Sequence, residues 1–204
     1  MIENKTKAII QRYSRDLIQN QTTVDWMKQR IRFIINPISG VGKKGDLPYL
    51  IEKYIDSSKF SYDIAFTEYH KHGKQIAINS VQEGFDVVCA VGGDGSVHEV
   101  GTALIGTNTR LAILPAGSGN GLARHLKIPL NIEGSLKVIE NQNVINVNAG
   151  SVNDFIFLSN MGVSFDSNFI NSYQSIPSRG FFAYLKAVFL ALYEYKTQKF
   201  SLYY

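Results

Sequence analysis

The sequence predicts an α/β fold: an N-terminal sandwich of helices around a parallel sheet, followed by the beginning of an antiparallel, β-rich domain. Three observations carry this. The run 86–91, apolar and rich in β-branched residues after Asp86, lacks the polar alternation of a half-exposed strand, as a strand buried on both faces requires, and 30–35 and 111–114 read as further strands. Segments of helical character separate them, and each run ends in a turn bearing glycine or proline. Beyond about residue 142 the alternation stops. Two strand-like segments, 144–149 and 154–159, flank Val152-Asn153-Asp154, which is a hairpin signal.

The chain of 204 residues, 45% hydrophobic and 19% charged, is long enough to bury a sizeable core. A net charge of +4 suits an anionic membrane surface or a nucleotide. It comes without zinc-finger, basic-zipper or stacked-aromatic patterns, so nucleic acid is not an expected partner. The single cysteine, Cys89, excludes an internal disulfide, suits a reducing cytoplasm, and reads as a small core residue. The N-terminus shows no secretory h-region, because Lys, Arg and Gln interrupt its apolar residues.

Taken in order, residues 1–29 read as a polar helical extension, with Ile9, Ile10, Tyr13, Leu17 and Ile18 at helical spacing. The first strand, 30–35, runs into Asn36-Pro37, where proline stops the ladder. A loop of small, glycine-rich and basic residues (38–45) follows, then a helix over 47–55. The loop has glycine and lysine for an anion but not the P-loop spacing, since Asp46 stands where lysine is required. A second strand is predicted at 62–67 and a helix over 70–84 closed by a C′ glycine. His70 and His72, two residues apart, do not share a helix face for chelation and read as surface residues.

The third strand ends at Gly92 in Gly92-Gly93-Asp94-Gly95-Ser96. Three glycines in four positions allow positive φ and close approach to a ligand, and Ser96 is expected to cap the helix through Val97, Val100 and Leu104. Backbone amides at a helix start make an anion site, most naturally for phosphate. Asp94 would repel a bare phosphate. It makes sense as a ligand of Mg²⁺ or as the acceptor of a proton from an attacking hydroxyl, the needs of phosphoryl transfer. The fourth strand, 111–114, leads to a second such loop, Pro115-Ala116-Gly117-Ser118-Gly119-Asn120-Gly121, and a helix over 122–126. Two loops at the carboxyl ends of parallel strands converge on one crevice. Asn120 and Arg124 are candidates there for phosphate or ribose. Further on, 181–192 is a strongly apolar helix too short to span a bilayer, which needs about twenty residues; 199–204 reads as another strand.

This combination resembles the diacylglycerol kinase and sphingosine kinase family of lipid kinases. The matching stretches are Asn36-Pro37-Ile38-Ser39-Gly40, Thr67 at the end of the second strand, the GGDGSVHEV run from Gly92, the LPAGSGNGLAR run from Leu114, and Met161-Gly162-Val163-Ser164-Phe165-Asp166. The resemblance implies a Rossmann-like nucleotide-binding domain over 30–142 and part of a lipid-binding β-rich domain over 143–204, cut short relative to the family. It implies transfer of the γ-phosphate of ATP, with Mg²⁺, to a lipid hydroxyl such as that of diacylglycerol or a sphingoid base. Asp94 would then be the catalytic and metal-linked carboxylate, with Glu99 orienting a loop or a metal-bound water. Asn36, Ser39, Gly40, Thr67, Gly92, Gly93, Gly95, Ser96, Gly117, Ser118, Asn120 and Arg124 would hold the nucleotide, and Phe165 and Asp166 would face the lipid. His98 and the GSGN form resemble sphingosine-type members, whereas Phe165-Asp166-Ser167 is closer to bacterial diacylglycerol-type ones. A cytoplasmic, peripherally membrane-associated protein follows, with a homodimer as a possible assembly. The alternatives are a soluble-substrate kinase of the NAD kinase type, whose family also carries GGDG, and a non-catalytic nucleotide-binding fragment.

Overall fold

The computed structural model describes residues 28–39, 46–162, 169–170, 172–173, 175–176 and 181–195. The helical extension predicted for 1–29 lies outside them up to residue 27, and Gln29 already belongs to the first strand. The strand expected at 199–204, together with Gly40, Phe165 and Asp166, also lies outside.

Four parallel strands form the sheet: β1 (Gln29–Ile35), β2 (Phe60–Phe66), β3 (Val87–Gly92) and β4 (Arg110–Pro115), in the order β2-β1-β3-β4. All six β3 residues are buried, as the apolar run predicts. The register brings the carboxyl ends to one level, pairing Ile35 with Phe66 and Val91, and Gly92 with Pro115. The loops after the four strands therefore leave from one edge. Between β1 and β3 the winding reverses direction, and in open parallel sheets ligands bind at that reversal.

Strand alternation sorts the core into two layers. Ile31, Phe33, Ile35 and Cys89 face α1 (Leu47–Tyr54) through Leu47 and Ile51, and α5 (Ile132–Glu140) through Leu136. On the other face Ile34, Val88 and Ala90 meet Ala77 of α2 (His72–Gln82), Val97, Val100 and Leu104 of α3 (Asp94–Leu104), and Leu122 of α4 (Gly121–His125). Each fully buried large side chain contributes about 1.5–3 kcal/mol. At the amino edge, far from the convergent loops, the Arg30 and Arg32 guanidiniums each lie 4.2 Å from the Phe85 ring, and Arg32 pairs with Glu83 at 2.6 Å.

Three local expectations are corrected. The helix after GGDG starts at Asp94 with Gly93 as N-cap, so Ser96 lies inside its first turn and is not the cap. None of the glycines in either loop has positive φ; among the described residues Gly84 and Gly106 do. The hairpin forms, but from β5 (Gly150–Val152) and β6 (Phe155–Phe157), paired antiparallel, rather than from 144–149. Residues 143–149 make no ladder, and Val144, Ile145 and Val147 are exposed. Helix α5 was unforeseen; Asn131 caps it by accepting the Gly134 N–H at 2.7 Å.

The chain divides after Leu158 into two compact units. In the second, α6 (Phe181–Glu194) buries Ala187 beside Ile176, Phe169, Tyr173 and Leu190, and exposes Leu185, Phe189, Leu192 and Tyr193. Among the described residues no helix is long and apolar enough to cross a membrane.

Candidate functional site

The two glycine loops meet backbone to backbone. A Cβ on Gly93 would lie 3.2 Å from the Gly117 Cα, and one on Gly117 would collide with the Gly93 Cα. A Cβ on Gly92 would run into the Ser96 side chain. These glycines are therefore required for close approach, and the backbone conformation itself would tolerate other residues. At Gly95 a Cβ would meet nothing within 4 Å, so its face of the α3 terminus is open. The first helical bond of α3 runs from Val97 N–H to Gly93 O, at 3.1 Å. Helix geometry leaves the Gly95 and Ser96 amides without an intrahelical acceptor, at the positive end of the dipole.

Asp94 joins the loops. Its Oδ2 accepts the Asn120 N–H at 2.9 Å and its Oδ1 accepts the Gly121 N–H at 2.6 Å. The carboxylate thus caps α4 from the first residue of α3, while itself remaining exposed. Asn120 holds the left-handed conformation, φ 55°, and closes the loop on itself: its Oδ1 accepts from Gly117 N–H at 3.0 Å and its Nδ2 donates to Gly117 O at 2.7 Å. Arg124, offered from sequence as a phosphate or ribose ligand, donates Nε–H to Gly119 O at 2.8 Å and braces the same loop. Ser118 and Gly119 form the exposed rim.

A second part of the site lies beyond β1 and β2. Asn36 turns the chain after β1 by accepting the Ile38 N–H at 3.1 Å on Oδ1 and the Ser39 hydroxyl at 3.0 Å on its carbonyl. Its Nδ2 donates to Ser96 Oγ at 3.3 Å, tying that turn to α3. Thr67 follows β2 directly, its N–H donating to Ile35 O at 2.9 Å. A cavity of about 190 Å³ opens here, lined by Asn36, Thr67, Tyr69, Gly73, Ser96 and Glu99 among others. Glu99 Oε1 accepts the Lys71 N–H at 3.1 Å and lies 3.5 Å from His70 Nδ1. Of the residues proposed from sequence, Asn36, Thr67, Ser96 and Glu99 thus gather around this cavity, while Gly92, Gly93, Asp94, Gly117 and Asn120 gather where the two loops meet. A larger open hollow of about 420 Å³ sits at the opposite edge, among Gly84, Asp86, Gly106 and Thr109. No convergent glycine loop or helix start lies there, so volume alone does not locate the chemistry.

Sequence reasoning missed the build of the 67–72 loop. His70 is exposed as expected, but His72 is half-buried: its Nδ1 accepts the Glu68 N–H at 3.1 Å and its ring stacks on Tyr69 at 4.3 Å. An imidazole at a helix start can act as a cap, and that was the available signal. Cys89 sits fully buried in β3, where burial pushes its thiol up from the ordinary range, so it is no nucleophile.

The architecture has known relatives. The profile of the diacylglycerol kinase catalytic domain matches residues 30–152, more than half of the chain. The chain is 33% identical over 138 residues to the diacylglycerol kinase of Staphylococcus aureus (strain bovine RF122 / ET3-1), covering 65% of this chain and 43% of that protein. The diacylglycerol kinase of S. aureus (strain JH9) matches to the same extent. The crystal structure of a diacylglycerol kinase from Bacillus anthracis str. Sterne superposes with a TM-score of 0.52 at 25% identity, covering 59% of this chain and 42% of that one. The chain spans less than half the length of these relatives. With its sheet order, its paired glycine loops and the profile match all falling on the same residues, the chain belongs to the diacylglycerol kinase catalytic domain family.

Proposed function

We propose that this chain carries the nucleotide-binding half of an ATP-dependent lipid kinase, which moves the γ-phosphate to a hydroxyl of a lipid such as diacylglycerol or a sphingoid base. The observation that carries the reading is the back-to-back packing of Gly93 on Gly117 with Asp94 between the loops. That packing leaves a side-chain-free backbone surface beside a helix start, which fits the phosphates of a nucleotide. The cavity bounded by Asn36, Thr67 and Glu99 fits the nucleoside end, at the reversal point of the sheet.

In the reaction the acceptor hydroxyl oxygen forms a bond to the γ-phosphorus as the bond to the β–γ bridging oxygen breaks, and ADP leaves. Asp94 is the residue proposed to take the hydroxyl proton, a role supported by the lone pair that each of its oxygens keeps beside its bond to a backbone N–H. Among the described residues no group of three or more His, Cys, Asp or Glu side chains is gathered for a metal. A lone carboxylate still fits Mg²⁺, which keeps much of its water and is held by one or two carboxylates together with substrate phosphates. When bound it would neutralise charge on the phosphate oxygens. Phe165 and Asp166 are proposed to face the lipid from the family resemblance. The exposed apolar residues of α6 support peripheral association with a membrane surface.

The test is transfer of labelled γ-phosphate from ATP, with Mg²⁺, by the whole chain to mixed micelles of diacylglycerol or sphingosine, with NAD as a soluble competitor acceptor. Label in one lipid supports the reading and names the acceptor. Label in NAD replaces it with a soluble-substrate kinase. ATP binding without transfer to either overturns catalysis by this chain and leaves a nucleotide-binding domain.

A further inference from the structure

We propose that Asp94 is the positioning residue that sets the conformation of the 116–121 loop, so that nucleotide affinity depends on its carboxylate even without a metal ion. This rests on the reading of the crevice as a nucleotide site. Gly117, Ser118 and Gly119 have no apolar side chain to bury, so holding them in one conformation, at about 1–2 kcal/mol per residue, falls to hydrogen bonds.

Some of those bonds are internal to the loop and some tie it to its neighbours. Asn120 bonds Gly117 within the loop, and Arg124 bonds Gly119 from α4, which Leu122 and Ala123 seat in the core. The ladder bond from Ala116 N–H to Gly92 O, at 2.8 Å, anchors the near end to β3. The far end is held by Asp94, which reaches from α3 to the Asn120 and Gly121 amides. Without those two bonds the turn from Gly117 to Asn120 loses its tie to α3, while Leu122 and Ala123 keep α4 seated in the core. The clamp is also tight: a Cβ on Gly119 would lie 2.7 Å from Asp94 Oδ2, so a side chain there must displace the carboxylate.

A carboxylate is the group that fits two converging N–H donors, because both of its oxygens accept. An asparagine offers one acceptor and turns an NH₂ toward the other amide. Asp94→Asn is therefore expected to remodel the loop as well as remove a base, and a lost turnover in that variant would not by itself assign a catalytic role.

The test combines two measurements on the whole chain: amide hydrogen exchange, and binding of ADP in the presence of EDTA. Asp94→Asn is expected to speed exchange at Asn120 and Gly121 by about tenfold or more, leaving the β1 and β3 amides protected, and to weaken ADP binding by about tenfold or more. Gly119→Ala, which keeps the carboxylate but crowds it, is expected to reproduce both effects. Unchanged exchange at Asn120 and Gly121 in an otherwise protected Asp94→Asn protein would overturn the clamp, as would metal-free ADP affinity that survives the faster exchange in Gly119→Ala, which keeps the carboxylate's charge. Should Asp94→Asn fail to fold, Gly119→Ala decides by the same two readings. Wild-type chain that binds no ADP would refute the nucleotide reading while the exchange data still judge the clamp.

Discussion

Glu99 on α3 accepts the backbone N–H of Lys71 at 3.1 Å, holding in place a residue whose φ of 67° is left-handed. Its other oxygen lies 3.0 Å from where a Cβ on Gly73 would sit. One carboxylate thereby fixes the loop that walls the cavity beside Thr67, from across the gap between two helices.

Glu99→Ala should leave that amide without its acceptor and cost about 1–2 kcal/mol in urea unfolding, with weaker ADP binding. Glu99→Gln keeps an acceptor oxygen and should lose less than half as much. Equal losses for the two would show that charge, and not the hydrogen bond, is what the loop needs.

Lys71→Gly should raise stability by about 0.5–1 kcal/mol, since relief from the left-handed cost outweighs the extra freedom of glycine in the unfolded chain. Thermal unfolding reads this directly. A lower melting temperature would mean that the lysine side chain makes a contribution the backbone does not reveal.

At Asn120 the conformation and the side chain can be separated. Asn120→Gly keeps the left-handed turn but loses both bonds to Gly117, and Asn120→Ala loses the bonds and adds strain. Stability and ADP affinity should fall in the order Asn, Gly, Ala, with about 1–3 kcal/mol between Asn and Gly. Alanine at or above glycine would count against the left-handed requirement.

Cys89 gives the chain a pH dependence on the alkaline side. Burial raises its folded-state pKa, so above the ordinary thiol value of about 8.5 the unfolded chain loses a proton that the folded one keeps. Stability is then complete below that pH and falls as pH rises, by up to about 1.4 kcal/mol per unit. Urea unfolding between pH 8 and 10 should show this slope, and Cys89→Ala should flatten it. Iodoacetamide should leave the folded protein unmodified at pH 8.

The sheet was legible because buried parallel strands are written as largely apolar runs, and 30–35, 86–91 and 111–114 differ from the observed strands by a residue or two. Its order could not be read from local pattern, since it depends on which side of β1 each crossover returns. The glycine loops are legible in the sequence too, but the reason for their glycines is not. Composition cannot separate a glycine needed for positive φ from one needed for close approach, and here the neighbour is another glycine loop 24 residues away. Serine is a favoured cap, yet the helix begins after Gly93, with Asp94 engaged with α4 and Ser96 inside the first turn. The bonds from Asp94 to Asn120 and Gly121 are pairings between distant positions, for which a single sequence holds no sign.

The central place of β1 in the order β2-β1-β3-β4 has a consequence for how the protein is made. This strand leaves the ribosome ahead of its partners, and its ladders need residues 60–66 on one side and 87–91 on the other. Until both have been synthesised, Ile31, Phe33, Ile34 and Ile35 have no sheet to enter. Pairings this far apart in sequence form slowly, and exposed apolar strands are prone to misassociate while they wait. Yield in a cell should therefore respond to chaperone supply and to growth temperature more than the finished fold's stability would suggest.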